Sequence, residues 1–78
     1  RQAARSHEEA RRALQAGNLA RALELMEGAV ALAPRDAGYR LLLADIYLKN
    51  GRFQAAEATY ADVVELQEDN VRAGLSLA

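Results

Sequence analysis

The side chains with the chemistry for catalysis are few and poorly placed in this sequence. His7 is the single histidine, and Glu8 and Glu9 follow it in a grouping that would suit acid–base or metal chemistry. One helical turn beyond His7 lies Arg11, so the histidine lacks the second ligand of a helical metal pair. Ser6, three residues before Glu9, is typical of a capping box. We therefore interpret His7 as structural or solvated and expect no metal and no cofactor.

The remaining reactive groups give an equally weak case for an enzyme. Asp62, Glu65, Glu68 and Asp69 cluster near one end of the chain, and such runs are more often a solvated acidic face than an acid–base pair. The sequence has no cysteine, which excludes a disulfide scaffold, a zinc finger and a thiol nucleophile. No glycine-rich phosphate loop is present. The sequence predicts a protein that is not an enzyme.

Length, composition and charge limit the class of protein. The 78 residues form at most one small domain, and 18 of its 40 hydrophobic residues are alanine, a composition typical of helices. A net charge of −1 argues against a nucleic-acid partner. No apolar run approaches the ~18 residues of a membrane span, so we expect no membrane insertion in this segment. The compartment stays open, and we expect the segment to be a piece of a longer protein.

The chain repeats itself at an interval of 34 residues. Sliding the sequence by that interval aligns 44 pairs, of which 11 are identical against about 5 expected by chance. The identical pairs include Gly17/Gly51, at a predicted turn, and Ala22/Ala56. The single domain over residues 1–78 is therefore predicted to contain one repeat at 3–36, a second at 37–70, and the start of a third unit or capping helix at 71–78.

Turn and cap residues divide each repeat into two helices. Gly17 and Gly51 can adopt the left-handed backbone that ends a helix, while Asn18 and Asp36 are suitable N-caps. The predicted helices are 3–16, 19–32, 37–50 and 53–67. The pair Asp69-Asn70 is predicted to end the fourth helix, with Asn70 capping the next one. The predicted buried side of the fourth helix consists of Phe53, Ala56, Tyr60, Val63, Val64 and Leu66.

The second repeat resembles the tetratricopeptide repeat (TPR) family. Leu43, Ala44, Tyr47, Ala56 and Tyr60 stand at the spacing of that family's pattern, with small residues where helices cross and large residues beside them. Two further positions, occupied by Arg40 and Glu68, depart from the pattern. The resemblance implies an all-α fold of antiparallel helical hairpins in a short right-handed superhelical solenoid. It also implies a non-enzymatic module that binds proteins.

The resemblance further implies a concave groove, lined by the first helix of each repeat, that binds a peptide or helix. By position, the groove residues are His7, Arg11, Leu14, Gln15, Leu41, Asp45, Leu48, Lys49, Arg72 and Leu75. Leu41, Asp45 and Leu48 share one helix face, which is separate from the face that carries Leu43 and Tyr47. The two arginines of this set could contact an acidic peptide.

Two other functions remain open at this point. Val71, Leu75 and Leu77 have no following helix to cover them, and an array this short normally needs further repeats. Self-association into a homo-oligomer, through residues 71–78 or the Leu41/Leu48 face, is therefore one alternative. The other is a regulatory arm attached to an enzyme in a larger protein.

Overall fold

The computed structural model describes residues 2–74, and they form four α-helices. These are α1 (Gln2–Gln15), α2 (Leu19–Leu32), α3 (Ala37–Lys49) and α4 (Phe53–Arg72). Helix α1 packs on α2, α3 packs on α4, and α2 packs on α3, so two antiparallel hairpins stack side by side. The described part of the chain contains no strand. The predicted all-α hairpin-repeat fold is confirmed. Of the helices described, none is both long and apolar enough to cross a membrane.

The two hairpins have turns with the same backbone geometry. Gly17 and Gly51 have φ values of +80° and +75°, a left-handed backbone that glycine adopts without steric cost. In each turn, the amide that follows the glycine donates to a carbonyl five residues earlier, as in a Schellman motif. These bonds join Asn18 N to Ala13 O at 2.8 Å and Arg52 N to Tyr47 O at 2.9 Å. The shared geometry explains why glycine recurs at this place in both repeats.

Side-chain caps fix the starts of α2 and α3. Asn18 Oδ1 accepts from the Arg21 amide at 3.2 Å, and Asp36 Oδ1 accepts from the Tyr39 amide at 3.0 Å. Both predicted caps are confirmed. The capping-box interpretation of Ser6 is wrong, because α1 already begins at Gln2 and Ser6 lies inside the helix.

The core follows the alternation of small and large residues in the repeat pattern. Four alanines at matching places in the two repeats are 0–1% exposed, so the helices approach closely there: Ala10, Ala22, Ala44 and Ala56. Met26 and Ile46 are the largest side chains that are fully buried. They fill the space between the two hairpins, where α2 meets α3.

Enlarging one of these alanines should destabilise the fold. The Ala56→Leu substitution adds a bulky side chain at a helix crossing with no free space, so we expect a loss of about 1–3 kcal/mol in the free energy of unfolding. Ala58 lies on the exposed side of the same helix, and Ala58→Leu is a matched control that should change stability by less than about 0.5 kcal/mol. Urea unfolding followed by circular dichroism measures both. Equal losses in the two variants would contradict close packing at Ala56.

Two residues predicted for the buried side of α4 are exposed. Phe53 is 68% exposed and Val64 is 52% exposed, so their prediction as core residues is wrong. Phe53 is the first residue of α4 and lies beside the Gly51 turn, at the end of the hairpin, where little of the chain can cover its ring. Val64 follows the buried Val63 by about 100° around the helix and therefore faces away from the hairpin.

Helix α4 is also longer than predicted. Asp69 and Asn70 lie inside it, and neither ends the helix nor caps another. Asp and Asn each destabilise a helix by less than about 1 kcal/mol relative to alanine, and packing of the helix can offset a cost of this size. After the start of α4, the first residue with a left-handed backbone is Gly74, with a φ of +79°, and the helix ends just before it. Residues 71 and 72 thus belong to α4, and residues 73 and 74 form a turn. Residues 75–78 lie outside the described residues, so a third unit or capping helix at 71–78 stays a prediction.

Candidate functional site

A shallow, open groove of about 440 Å³ lies between α1 and α3. Both helices are the first of their hairpins, so their side-by-side arrangement follows from the stacking of the two repeats. The residues that line the groove are His7, Arg11, Leu14, Gln15, Gly38, Leu41, Leu42 and Asp45. Six of these are among the groove residues implied by the family resemblance. Gly38 and Leu42 are additional to that set, and both lie beside Leu41 on α3.

Three of the predicted groove residues lie elsewhere on the described part of the chain. Leu48 and Lys49 are exposed on the last turn of α3, beyond the residues that line the groove. Arg72 lies at the end of α4, on a surface that it shares with Val64 and Val71, because α4 continues through it. Arg72 does not line the groove between α1 and α3, and its role in binding stays a prediction. Leu75 lies outside the described residues.

The floor of the groove is apolar. Leu14 and Leu42 are half-buried and also pack against the core between the hairpins. Leu41 differs from them because it is 45% exposed and is not part of that core cluster. The groove thus contains a large apolar side chain that packing within the described residues does not require.

His7 has a structural contact within the groove. Its ring stacks on Tyr39, with ring centroids 5.0 Å apart and an interplanar angle of 29°, and so joins α1 to α3. Among residues 2–74, no three His, Asp or Glu side chains are grouped so that they could hold a metal ion. The stacking supports the interpretation of His7 as a structural side chain.

Asp45 is held in place by a tyrosine from the neighbouring helix. The Tyr60 hydroxyl on α4 donates a hydrogen bond to Asp45 Oδ1. This bond, followed by burial and by the negative charge of Asp45, raises the pKa of Tyr60 above 10.0. Sequence reasoning placed Asp45 in the groove and Tyr60 in the helix crossing, and it missed the contact between them. The one signal for this contact in the sequence is that residue 60 is a tyrosine, since phenylalanine would pack equally well there.

A second tyrosine–carboxylate pair lies outside the groove and joins the two hairpins. The Tyr47 hydroxyl on α3 donates to Glu27 Oε2 on α2 at 3.0 Å. Burial is the main cause that raises the pKa of Tyr47 above 10.0, the hydrogen bond to Glu27 adds to it, and Arg52 opposes it. The neutral phenol is therefore the form that the folded chain favours.

Alkaline pH should weaken the fold through Tyr47. Because its pKa is raised in the folded state, its contribution to stability is fully present below pH 10.0 and is lost as the pH rises through the folded value. We expect the free energy of unfolding to fall above pH 10.0, and the Tyr47→Phe variant to show a shallower fall. Urea unfolding at a series of pH values measures both slopes. Identical slopes would show that Tyr47 titrates alike in the folded and unfolded chains.

Two residues of the acidic cluster near the end of the chain pair with arginines of other elements. Asp62 pairs with Arg40 at 3.3 Å, and Asp69 pairs with Arg35 at 3.8 Å. Arg40 also donates from Nε to the Pro34 carbonyl at 2.7 Å, and its side chain is only 23% exposed. Arg40, which departs from the family pattern, thus ties α4 to the connection between the hairpins. Asp62 and Asp69 thus contact arginines on α3 and on the connection between the hairpins.

Comparison with known families identifies one match. A family model described as tetratricopeptide repeat matches residues 13–78, which is most of the chain. No curated protein and no solved structure matches the chain. The family match covers three of the four helices entirely and the last turn of α1.

Proposed function

Since the chain belongs to the tetratricopeptide repeat family, we propose that it binds a peptide or helical segment of a partner protein in the groove between α1 and α3. Repeats of this family generally mediate protein–protein interactions, and the family is typically non-catalytic. The proposal concerns the place of binding and the form of the ligand.

The exposure of Leu41 is the observation that carries this proposal. A leucine that is 45% exposed in an open groove, beside the half-buried Leu14 and Leu42, offers apolar area that a ligand can cover. Arg11 and Asp45 at the edges add charged groups that can fix the ligand's orientation. Apolar area surrounded by a few polar groups is the usual composition of a peptide-binding groove.

A selection from randomised peptides tests the proposal. The immobilised chain is used to enrich peptides displayed on phage, and the enriched pool is then tested on the Leu41→Glu variant. We expect the wild-type chain to enrich peptides that share an apolar residue. We expect these peptides not to bind to the Leu41→Glu variant. Enrichment that is equal on both proteins would place the binding surface away from the groove, and no enrichment would refute peptide binding.

Self-association is the second candidate function, and the outer surface of α4 favours it. Val64 and Val71 are 52% and 62% exposed and lie two helical turns apart beside Arg72. Two copies could cover these valines by pairing their α4 helices. Light scattering over a range of concentrations separates the two functions. A mass of 8.5 kDa at every concentration would exclude self-association, whereas a mass that falls to this value in a Val71→Glu variant would support it.

A further inference from the structure

The two sides of the groove carry opposite charges. Arg11 lines the groove from α1 and Asp45 lines it from α3, with the leucine floor between them. Arg11 is paired with Glu8 at 3.9 Å, but both side chains are more than half exposed, so this ion pair is weak. A ligand in the groove therefore meets a positive charge on one side and a negative charge on the other.

Asp45 has an unused acceptor and a fixed orientation. One carboxylate oxygen, Oδ1, accepts from Tyr60. Within residues 2–74, the other oxygen receives no hydrogen bond, and no cationic side chain pairs with Asp45. Lys49 lies one turn further along α3, and even this nearby cation does not pair with it. The carboxylate is half-buried, where charges are screened less than on open surface.

We infer that the groove selects partner segments that place a lysine or arginine against Asp45, and that Tyr60 is a positioning residue for this selectivity. The inference rests on the proposed peptide binding. Hydrogen bonds between a cation and a carboxylate are stronger than those between neutral groups, so a basic side chain is the best partner for the free oxygen. Arg11 on the opposite side repels a cation and so directs the basic residue toward α3.

Tyr60 contributes by restricting Asp45 before the ligand arrives. The Tyr60 hydroxyl, which lies on α4, donates to Asp45 Oδ1. Because this bond already restricts the carboxylate, Asp45 loses less conformational freedom when a ligand binds to its other oxygen. Loss of this hydroxyl should weaken recognition of the basic residue and leave the apolar contacts intact. The expected effect is therefore on selectivity, which a purely structural role would not change.

A double-mutant cycle on an enriched peptide tests the pairing. The wild-type chain and the Asp45→Asn variant are each titrated with the peptide and with a copy in which its lysine or arginine is replaced by glutamine. Asparagine can still accept from Tyr60, so this substitution removes the charge and keeps the hydrogen bond. We expect Asp45→Asn to lower the affinity for the basic peptide about tenfold and to leave the affinity for the glutamine peptide nearly unchanged.

The role of Tyr60 is tested with a matched pair of variants. Tyr60→Phe and Tyr47→Phe each remove one hydroxyl that donates to a carboxylate, but the Tyr47–Glu27 pair lies outside the groove. We expect Tyr60→Phe to reduce the preference for the basic peptide about threefold, and Tyr47→Phe to leave it unchanged. Circular dichroism confirms that both variants are folded. Equal effects of the two variants would refute the positioning role.

The outcomes separate this inference from the proposed function. Enriched peptides that depend on Leu41 but lack a basic residue would overturn the inference and leave groove binding intact. An Asp45→Asn variant that binds the basic peptide and the glutamine peptide more weakly by the same factor would also overturn the inference and leave groove binding intact. If no peptide is enriched by the wild-type chain, peptide binding and the charge selectivity fail together.

Discussion

The Ile46→Ala variant is expected to lose about 2–5 kcal/mol in the free energy of unfolding. Ile46 is 0% exposed and packs in the core cluster that joins the two hairpins, which also includes Met26 and Leu43. Truncation removes buried apolar area and leaves a cavity that the surrounding helices fill only in part. A domain of 78 residues has a total stability of roughly 4–12 kcal/mol, so this single change removes a large share of it.

Phe53→Ala is the control for this prediction. It removes a larger side chain than Ile46→Ala does, but Phe53 is 68% exposed, so we expect a loss of less than about 1 kcal/mol. Urea unfolding monitored by circular dichroism gives both values on one scale. A greater loss for Phe53→Ala than for Ile46→Ala would mean that the phenylalanine, and not the isoleucine, is a core residue.

The Leu41→Glu variant is expected to bind enriched peptides at least about tenfold more weakly than the wild-type chain. The substitution removes an apolar contact worth about 1.5 kcal/mol or more when covered, and it adds a carboxylate that a bound ligand must desolvate. Because Leu41 is 45% exposed and does not belong to the core cluster, the variant should keep its fold. Isothermal titration calorimetry measures the affinity, and thermal unfolding checks the stability.

Leu32→Glu makes the same chemical change away from the groove. Leu32 is 55% exposed at the end of α2 and does not line the groove between α1 and α3. This variant should bind the peptides with nearly wild-type affinity. Similar weakening in both variants would indicate a general effect of added negative charge and would count against Leu41 as a contact residue.

The sequence predicts the turns within the hairpins and the starts of α2 and α3 because these depend on local chemistry. Gly17 and Gly51 end helices through a backbone conformation that other residues rarely adopt. Asn18 and Asp36 cap helices through bonds to amides three residues away. The buried alanines were predictable as well, because the two repeats place them at the same interval, as at Ala22 and Ala56.

The sequence does not determine the features that depend on which neighbouring element packs against a residue. Phe53 and Val64 have the period of a buried face, but no helix of residues 2–74 covers them. The repeat pattern predicts a new helix at Arg72, whereas α4 continues through this residue. The contact between Tyr60 and Asp45 depends on the side-chain geometry across a hairpin, which spacing alone does not determine.

The most direct test of groove binding is a titration of the isotope-labelled chain with an enriched peptide, followed by amide chemical shifts. We predict that the largest shift changes fall on the residues that line the groove, with His7, Arg11, Leu41 and Asp45 among them. Residues on the outer surface of α4, such as Val64 and Val71, should change little. Shift changes centred on those valines, with the groove unaffected, would contradict the account.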